Sequence, residues 1–265
     1  MRLPTLLLAL SVLFGASSAG AQEKPLRIDL NIPALRLTVY EGDEIIRSYP
    51  VAVGMKGHDT PTGKFAITHA EWNPWWRPPA REWAKDEKVT PPGPNNPMGR
   101  VKLFFLQYYF FHGTPESGSI GTPASHGCVR LLNKDVIALA RLLHERAAPQ
   151  VSSKDIDRIL ANSSQTRRVN FREPIPVTIR YDLVTVQDGD INIYPDIYDY
   201  GTLHSEAVYQ ALMAAGYDVS LVSHKDVARL IEQGRGARET LNLKVEDVFG
   251  TEVAASRKSV TTAVR

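Results

Sequence analysis

The 265-residue chain has a single cysteine, Cys128. One cysteine cannot form an intrachain disulfide, so a disulfide-stapled fold is excluded and a hydrophobic core must hold the chain together. An unpaired thiol is open to oxidation, particularly in exported proteins, where cysteines usually occur in pairs. Cys128 is therefore either a small buried apolar residue or a thiol that takes part in chemistry.

An excess of charge of one sign is missing as well. Lys and Arg total 31, Asp and Glu total 29, and the formal net charge is +2. No basic run is long enough to follow a phosphate backbone, so we expect no nucleic-acid partner. The content of 43% hydrophobic and 23% charged residues excludes a disordered or fibrous chain and fits one or two compact domains.

Long apolar runs are confined to the N-terminus. Residues 6–14 are almost all apolar, follow Arg2, and precede the small-residue sequence Ala19-Gly20-Ala21. This order is typical of a secretory signal, and the run is too short to span a bilayer as a mature helix. It predicts cleavage after residue 21 and an exported protein that does not span the membrane. An uncleaved anchor or a buried core helix is the alternative.

Alternating apolar and polar residues predict a mainly β domain. Leu35, Leu37 and Val39 alternate with polar residues, which is the period of a half-buried strand. Other predicted strands cover residues 44–53, 64–68, 101–105, 108–111, 175–181 and 183–187.

Helical patterns and a change of composition suggest the domain limits. Helices are predicted to begin at Asn133, Ser205 and Ser223 as N-caps, and a short one to cover residues 153–160. The last two capped helices are predicted to end at Gly216 and Gly234. We therefore expect a signal peptide over residues 1–21, a main domain over 22–201, and a small α/β extension over 202–265.

Residues 72–97 contain all four tryptophans and seven prolines. Proline is excluded from sheet interiors and helix interiors, so this segment predicts a long irregular loop. Such loops are uncommon unless they are functional or disordered, and four tryptophans argue against disorder. We interpret the segment as the lid or wall of a binding cleft; a structural loop packed on the core is the alternative.

Two short segments place reactive side chains beside glycines. His112 ends an apolar segment and precedes Gly113, where a rigid strand could direct its ring toward a thiol that needs a base. Gly127 allows close approach of the backbone before Cys128, and amides there could face a developing oxyanion. Arg130 lies two residues after Cys128, so both would share one face of a strand, and its guanidinium could hold a substrate carboxylate.

Other interpretations of these residues exist. A lone cysteine near a histidine is common in proteins without any catalytic role. His112, His126 and Cys128 could also bind zinc, but the His126-x-Cys128 spacing is unusual for a zinc finger and no second close pair follows. We therefore expect no metal ion and no other cofactor.

Several motifs, in order, resemble the L,D-transpeptidase catalytic domain family (YkuD-like). The resemblance is carried by residues 125–130 (SHGCVR), 112–114 (HGT), 60–65 (TPTGKF), 73–79 (NPWWRPP) and 92–100 (PGPNNPMGR). It covers residues 26–181, and the departing KGHD sequence at residues 56–59 is peripheral. Residues 166–177 and 195–198 resemble the C-terminal end of the large-type members of this family. Those members also carry a leading scaffold, which we do not expect here because the predicted strands start soon after the signal sequence.

The resemblance implies a β-sandwich with two facing sheets and a few helices, extended by the α/β appendage. It implies that Cys128 is the nucleophile and that His112 is the general base, oriented through the carbonyl of Gly113. The backbone amides of Gly127 and Cys128 would form the oxyanion hole. The substrate-binding residues expected from the motifs are Ser125, His126, Arg130, Trp75 and Trp76.

The implied substrates are the stem tetrapeptides of peptidoglycan, in the periplasm or at the cell wall. The enzyme would release D-alanine, form 3→3 cross-links through an acyl-enzyme, and be inhibited by carbapenem-type β-lactams. Hydrolysis by an L,D-carboxypeptidase or endopeptidase, and non-catalytic wall binding, remain alternatives. Whether Cys128 and His112 form a resting ion pair is open on the residues alone, and the nearby Arg130 favours the ion pair.

Overall fold

A computed structural model describes residues 24–258, so the predicted signal peptide lies outside the described residues. The strands in this range are β1 (Leu26–Asn31), β2 (Arg36–Glu41), β3 (Glu44–Pro50), β4 (Val53–Gly54), β5 (Gly63–Trp72), β6 (Val101–Leu106), β7 (Tyr109–Thr114), β8 (Pro123–Ser125), β9 (Val129–Leu132), β10 (Arg167–Arg180), β11 (Val184–Gln187), β12 (Asp190–Ile193) and β13 (Leu241–Lys244). The α-helices are α1 (Asn133–Ala147), α2 (Ser153–Ala161), α3 (Ser205–Ala214), α4 (His224–Gly234), α5 (Val245–Phe249) and α6 (Thr251–Ala255).

Eight strands form one mixed sheet in the order β3-β2-β1-β10-β5-β6-β7-β9. β1 runs parallel to β10, β7 runs parallel to β9, and the other neighbours are antiparallel. The two ends of this order meet, because Ala52 after β3 exchanges two backbone hydrogen bonds with Arg130 of β9, at 2.9 and 2.8 Å. The sheet therefore curves around a shared interior, and the expected mainly β fold is confirmed.

The interior of the sheet is a single hydrophobic core, and α1 packs against it. Helix α1 buries Val136, Leu139 and Leu143, which is the helical stripe that the sequence predicts. Trp72 and Phe111 are among the largest fully buried side chains. Because this core lies behind β7 and β9, the residues of those strands that face away from it are held on a firm base.

Between β5 and β6 the chain forms the irregular loop that its prolines predict. The loop contains a 3₁₀ turn at Glu82–Ala84 and a backbone bridge between Trp76 and Thr90. The buried side-chain amide of Asn96 donates to three carbonyls of the loop, at 2.9–3.1 Å. Buried bonds of this kind hold the loop, called the Trp/Pro loop below, in one conformation.

The C-terminal residues form a second unit with its own core. Strands β11, β12 and β13 make an antiparallel sheet, and helices α3 to α6 pack against it. The core of this unit includes Val184, Ile191 and Ile193. It therefore begins before the predicted limit at residue 202, because β11 and β12 pair with β13 instead of joining the large sheet.

Two predicted helix caps are wrong. Helix α1 begins at Asn133, but its N-cap is Leu132, and the Asn133 side chain instead accepts a hydrogen bond from the Arg100 amide at 2.9 Å. Helix α3 is capped by the side chain of His204, not by Ser205. The predicted caps at Ser223 and the stop at Gly234 are confirmed for α4.

Candidate active site

Two parallel strands position the candidate catalytic side chains. His112 of β7 pairs with Arg130 of β9, and the residues before them pair in the same register. Side chains alternate along a strand, so those of the paired His112 and Arg130 share one face of the sheet. The opposite face, with Phe111 and Val129, belongs to the core. Cys128 comes directly before β9, and we expect its side chain on the face of Arg130.

His112 is buried and held in one orientation. Its Nδ1 lies 2.7 Å from the carbonyl oxygen of Gly113, and only 2% of the residue is exposed. A carbonyl can only accept, so Nδ1 carries the proton and Nε2 is left unprotonated. Burial lowers the pKa of His112 to about 3; the Gly113 carbonyl opposes this shift, while Arg130 and Lys102 add to it. His112 is therefore a neutral imidazole with a free basic nitrogen.

Gly113 has no room for a side chain. A Cβ atom at this position would lie 2.2 Å from Oδ1 of Asn133 and 3.2 Å from the backbone nitrogen of Arg100. The Asn133 amide in turn donates to the carbonyl of Thr114 at 3.3 Å. This close packing fixes the end of β7, and with it the carbonyl that orients His112.

Cys128 is partly exposed, and its thiol is protonated at neutral pH. Sγ donates to the carbonyl of Tyr108 at 3.5 Å, and in residues 24–258 no hydrogen bond joins it to His112. Burial raises the pKa of the thiol to about 11, although a backbone bond from Phe110 and the positive charge of Arg130 oppose the shift. Burial thus outweighs the positive surroundings and favours two neutral groups over the expected resting ion pair, which the pH dependence of alkylation tests.

The loop before Cys128 is tied down on both sides of Gly127. Gly127 has φ +107°, and a Cβ there would lie 2.7 Å from the ring of Tyr109. Its amide donates to Oγ of Ser125 at 3.1 Å, and its carbonyl accepts from Oγ1 of Thr60 at 3.0 Å. The Gly127 amide is thus bonded to Ser125 in this conformation, and its expected place in the oxyanion hole stays a prediction.

Ser125 and His126 have different surroundings. Ser125 is buried, and its Oγ also donates to the carbonyl of Cys128 at 2.5 Å, so its contacts are with the loop. His126 is exposed; its ring stacks on Trp83 at 3.9 Å between centroids and meets the edge of His58 at 4.6 Å. Burial, His58 and Arg130 lower the pKa of His126.

The Trp/Pro loop reaches the Cys128 loop through Trp83. The ring of Trp83 lies between His126 and Trp76, which is 6.4 Å away and nearly parallel. Trp75 lies outside this stack, 38% exposed, with the Arg77 guanidinium over its ring at 5.4 Å. Trp75 and Trp76 are predicted binding residues, whereas Trp83 is not, because no spacing in the sequence indicates the contact of Trp83 with His126.

Arg130 already has a carboxylate partner. Its Nη1 donates to Oε2 of Glu116 at 3.0 Å, and the Glu116 side chain is 69% exposed. Nearby, Lys102 pairs with Glu71 at 3.0 Å. Glu116 was not foreseen, because the two residues are fourteen positions apart and meet only through the turn after β7.

Two further findings concern metals and membranes. In residues 24–258 no three His, Cys, Asp or Glu side chains are gathered so that they could hold a metal ion, so the zinc alternative is not carried further. No helix of this same part of the chain has the length and apolar character needed to cross a membrane.

A fold and motif of this kind define a family. The model of the L,D-transpeptidase catalytic domain (YkuD) matches residues 25–162, which is just over half of the chain. The chain belongs to this family. The match spans β1 to α2 and includes His112, Cys128 and Arg130.

Individual relatives cover part of the chain. The probable L,D-transpeptidase ErfK/SrfK of Salmonella typhimurium is 35% identical over 118 residues, which are 41% of this chain and 38% of that protein. The probable L,D-transpeptidase YbiS of Escherichia coli is 29% identical over 163 residues, 57% of this chain and 52% of that protein. The chain thus spans about half the length of these relatives, or less. An L,D-transpeptidase structure from Mycobacterium smegmatis aligns with TM-score 0.37 and 17% identity, over 58% of each chain.

Proposed function

We propose that this protein is an exported cysteine acyltransferase that acts on the stem tetrapeptides of peptidoglycan. The observation that supports it most is the fixed tautomer of His112, which pairs with Arg130, two residues after the single thiol. Family membership supports the substrate class, since the matched family is one of L,D-transpeptidases. The signal sequence supports export to the periplasm or the cell wall.

In the proposed reaction the thiol stays protonated until His112 removes its proton during the attack on the substrate. Sγ of Cys128 bonds to the carbonyl carbon at the L-centre of the third stem residue as its proton moves to Nε2 of His112. The bond to the terminal D-alanine then breaks, and the same proton goes to the leaving amine. An amine of a neighbouring stem attacks the thioester, forms the 3→3 cross-link and returns the thiol.

The developing oxyanion needs donors in the Cys128 loop. Because the Gly127 amide is bonded to Ser125 in this conformation, we propose that the amide of Cys128 is the main donor. The positive charges of Arg130 and Lys102 oppose the rise in the thiol pKa, and they would also stabilise the negative charge of the oxyanion. Together these groups supply the electrostatic part of the catalysis.

Arg130 and the Trp/Pro loop form the proposed binding surface. Arg130 would exchange Glu116 for a substrate carboxylate, since both partners offer the same chemistry and Glu116 is largely exposed. Trp83, stacked on His126, would form the wall next to the nucleophile. Trp75, whose ring is partly exposed, would contact the peptide or the sugar.

Product masses test the reaction. The purified protein is incubated with tetrapeptide muropeptides, with Cys128→Ala and Cys128→Ser as matched controls. We expect cross-linked dimers and free D-alanine with the natural protein and nothing with either variant, because a hydroxyl is a much weaker nucleophile without a matched base. Tripeptide alone would mean hydrolysis, and unchanged substrate would mean binding without catalysis.

Acylation by a β-lactam tests the nucleophile independently of the acceptor. We expect a carbapenem to add its mass to the natural protein and not to Cys128→Ala, as read by intact-protein mass spectrometry. An unmodified mass after long incubation would count against Cys128 as an acyl acceptor.

A further inference from the structure

Residues 195–201, called the tyrosine strap below, connect β12 to α3 in the C-terminal unit but pack on the catalytic unit. Tyr198 is 3% exposed and belongs to the core of the large sheet. The C-terminal unit has a separate core, so the strap is the part of the connection that enters the first core. The proposed reaction assigns no role to this segment.

The strap is held in shape by its own tyrosine contacts. The Tyr181 hydroxyl donates to Oδ1 of Asp196 at 2.6 Å and accepts from the Tyr198 amide at 2.8 Å. The rings of Tyr181 and Tyr198 are stacked at 5.2 Å. Asp196 also accepts from the amides of Tyr200 and Gly201, at 3.0 and 2.7 Å. This bonding makes the strap a fixed platform and not a slack linker.

The tyrosine strap holds the loop of residues 55–60. The Tyr198 hydroxyl accepts a hydrogen bond from the Thr60 amide at 3.1 Å, in a buried contact. Tyr200 donates to Oδ2 of Asp59 at 2.6 Å, and Lys56 pairs with Asp199 at 2.5 Å, but these two contacts are exposed. The buried bond of Tyr198 is therefore expected to carry more of the effect than the exposed ones.

Thr60 connects the tyrosine strap to the backbone that precedes Cys128. Its Oγ1 donates to the Gly127 carbonyl at 3.0 Å and accepts from the Gly54 amide at 2.8 Å. Gly54 and Gly127 approach so closely that a Cβ on Gly54 would lie 3.0 Å from the Gly127 Cα. Thr60 is 2% exposed, so it has no water to replace a lost partner. Gly127 is bonded directly to Cys128 along the chain.

We propose that Tyr198 is a positioning residue, which holds the backbone of Gly127 and Cys128 through Thr60. The inference rests on the proposed acyl transfer, because it concerns the site of that reaction. Without the Tyr198 hydroxyl, the buried Thr60 amide is unpaired and Thr60 must shift to find another acceptor. That shift loosens the Gly127 carbonyl, and the Cys128 amide of the same peptide bond no longer faces the oxyanion at a fixed distance.

The test compares Tyr198→Phe with Tyr209→Phe in the full chain. Tyr209 is a matched control, because its hydroxyl bonds to His224 at 2.6 Å inside the C-terminal unit. Two rates are measured by intact-protein mass: acylation of Cys128 by a carbapenem, which needs an oxyanion, and alkylation by iodoacetamide, which does not. We expect Tyr198→Phe to slow acylation by about tenfold, the size of one buried hydrogen bond, and to leave alkylation within about twofold.

A second pair of variants tests the route through Thr60. Thr60→Val removes Oγ1 and should slow acylation, whereas Thr60→Ser keeps it and should restore most of the rate. Combined with Tyr198→Phe, Thr60→Val should add little, because both act on one chain of bonds. Full additivity, or acylation at the natural rate in Tyr198→Phe, would overturn the proposal. So would equal losses of acylation, alkylation and thermal stability, which indicate a general structural role.

Amide hydrogen exchange separates this proposal from the proposed function. If the natural protein is not acylated at all, acyl transfer is wrong, but the strap can still be judged. Tyr198→Phe should speed exchange in a peptide that contains residues 125–130, while Tyr209→Phe should not. Unchanged protection of that peptide would overturn the positioning role, whatever the protein does chemically.

Discussion

His112 and Cys128 predict a distinctive pH dependence. Burial raises the pKa of the thiol to about 11 and lowers that of the imidazole to about 3. Thiolate forms only as pH rises toward the thiol pKa, so iodoacetamide alkylation should climb with pH and have its midpoint above the free-thiol value of about 8.5. Since His112 stays neutral down to about pH 3, its protonation should not limit acylation between pH 5 and pH 8.

The variant His112→Gln separates the base from the thiol environment. Acylation should fall by roughly 10²–10⁴-fold, the usual contribution of a positioned general base. Alkylation at high pH should persist, because a thiolate formed by hydroxide needs no histidine. A plateau of alkylation below pH 7 in the natural protein would contradict the neutral pair and restore the ion pair.

Arg130 predicts a loss confined to substrate recognition. Arg130→Ala should lower kcat/KM for the stem peptide. The expected increase in activation free energy is roughly 1.5–3 kcal/mol, the usual size of a charge-assisted hydrogen bond. Iodoacetamide alkylation should change far less. Arg141→Ala is the matched control, because it breaks a surface ion pair with Asp157 on the helices. Equal losses in both assays would mean that Arg130 is a structural residue.

Glu116→Gln tests the exchange of partners at Arg130. If Glu116 occupies the place of a substrate carboxylate, removing its charge should lower KM or leave it unchanged. A rise in KM as large as that of Arg130→Ala would mean that Glu116 helps to hold the guanidinium in its working position.

Some of these residue properties follow from the sequence and others do not. The two-residue repeat of a strand predicts a common face for Cys128 and Arg130. The partners of Gly127 do not follow from the sequence, because Thr60 lies 67 residues away and meets it only when the loops pack. The burial of the thiol and of the imidazole does not follow from it either, since burial depends on the whole fold and not on neighbours in sequence.

At the scale of the elements, we expect the Trp/Pro loop to contribute to substrate binding through Trp83. Trp83→Ala removes the stack on His126 and should raise KM for the stem peptide by roughly fivefold, equivalent to about 1 kcal/mol for an aromatic pair. Trp75→Ala is the comparison, because its ring lies outside the stack. A larger effect at Trp75 would mean that the exposed ring, not the stacked one, contacts the substrate.

Strands and helices were largely predictable because their periods are local. The alternation in β2 and the stripe of α1 appear in the structure as predicted. The cap at Asn133 was mispredicted because its side chain is drawn to the Arg100 amide, a tertiary contact that competes with local capping. The stacking order of the tryptophans could not be predicted from the sequence either, because a proline-rich loop has no regular residue period.

At the scale of the molecule, the second core includes residues that precede the expected domain limit at residue 202. The hairpin β11–β12 has the same strand pattern as the large sheet, and only its partner β13, some fifty residues later, assigns it to the C-terminal unit. The strap then returns to the first core before α3 begins. The chain therefore crosses between its two units three times, which composition alone does not reveal.

This arrangement predicts how far the chain can be shortened. A chain that ends at Gly201 keeps every motif residue and the strap, so we expect a carbapenem still to acylate Cys128. Its stability should fall, because Ile191 and Ile193 lose the helices that cover them. A chain that ends at Asp182 removes both the hairpin and the strap, and should be acylated more slowly than the longer one. Thermal unfolding and intact-protein mass, measured on both, give the comparison. If the chain ending at Gly201 is folded but inert, helices α3 to α6 complete the active site, and the chemistry is not confined to the residues before 131.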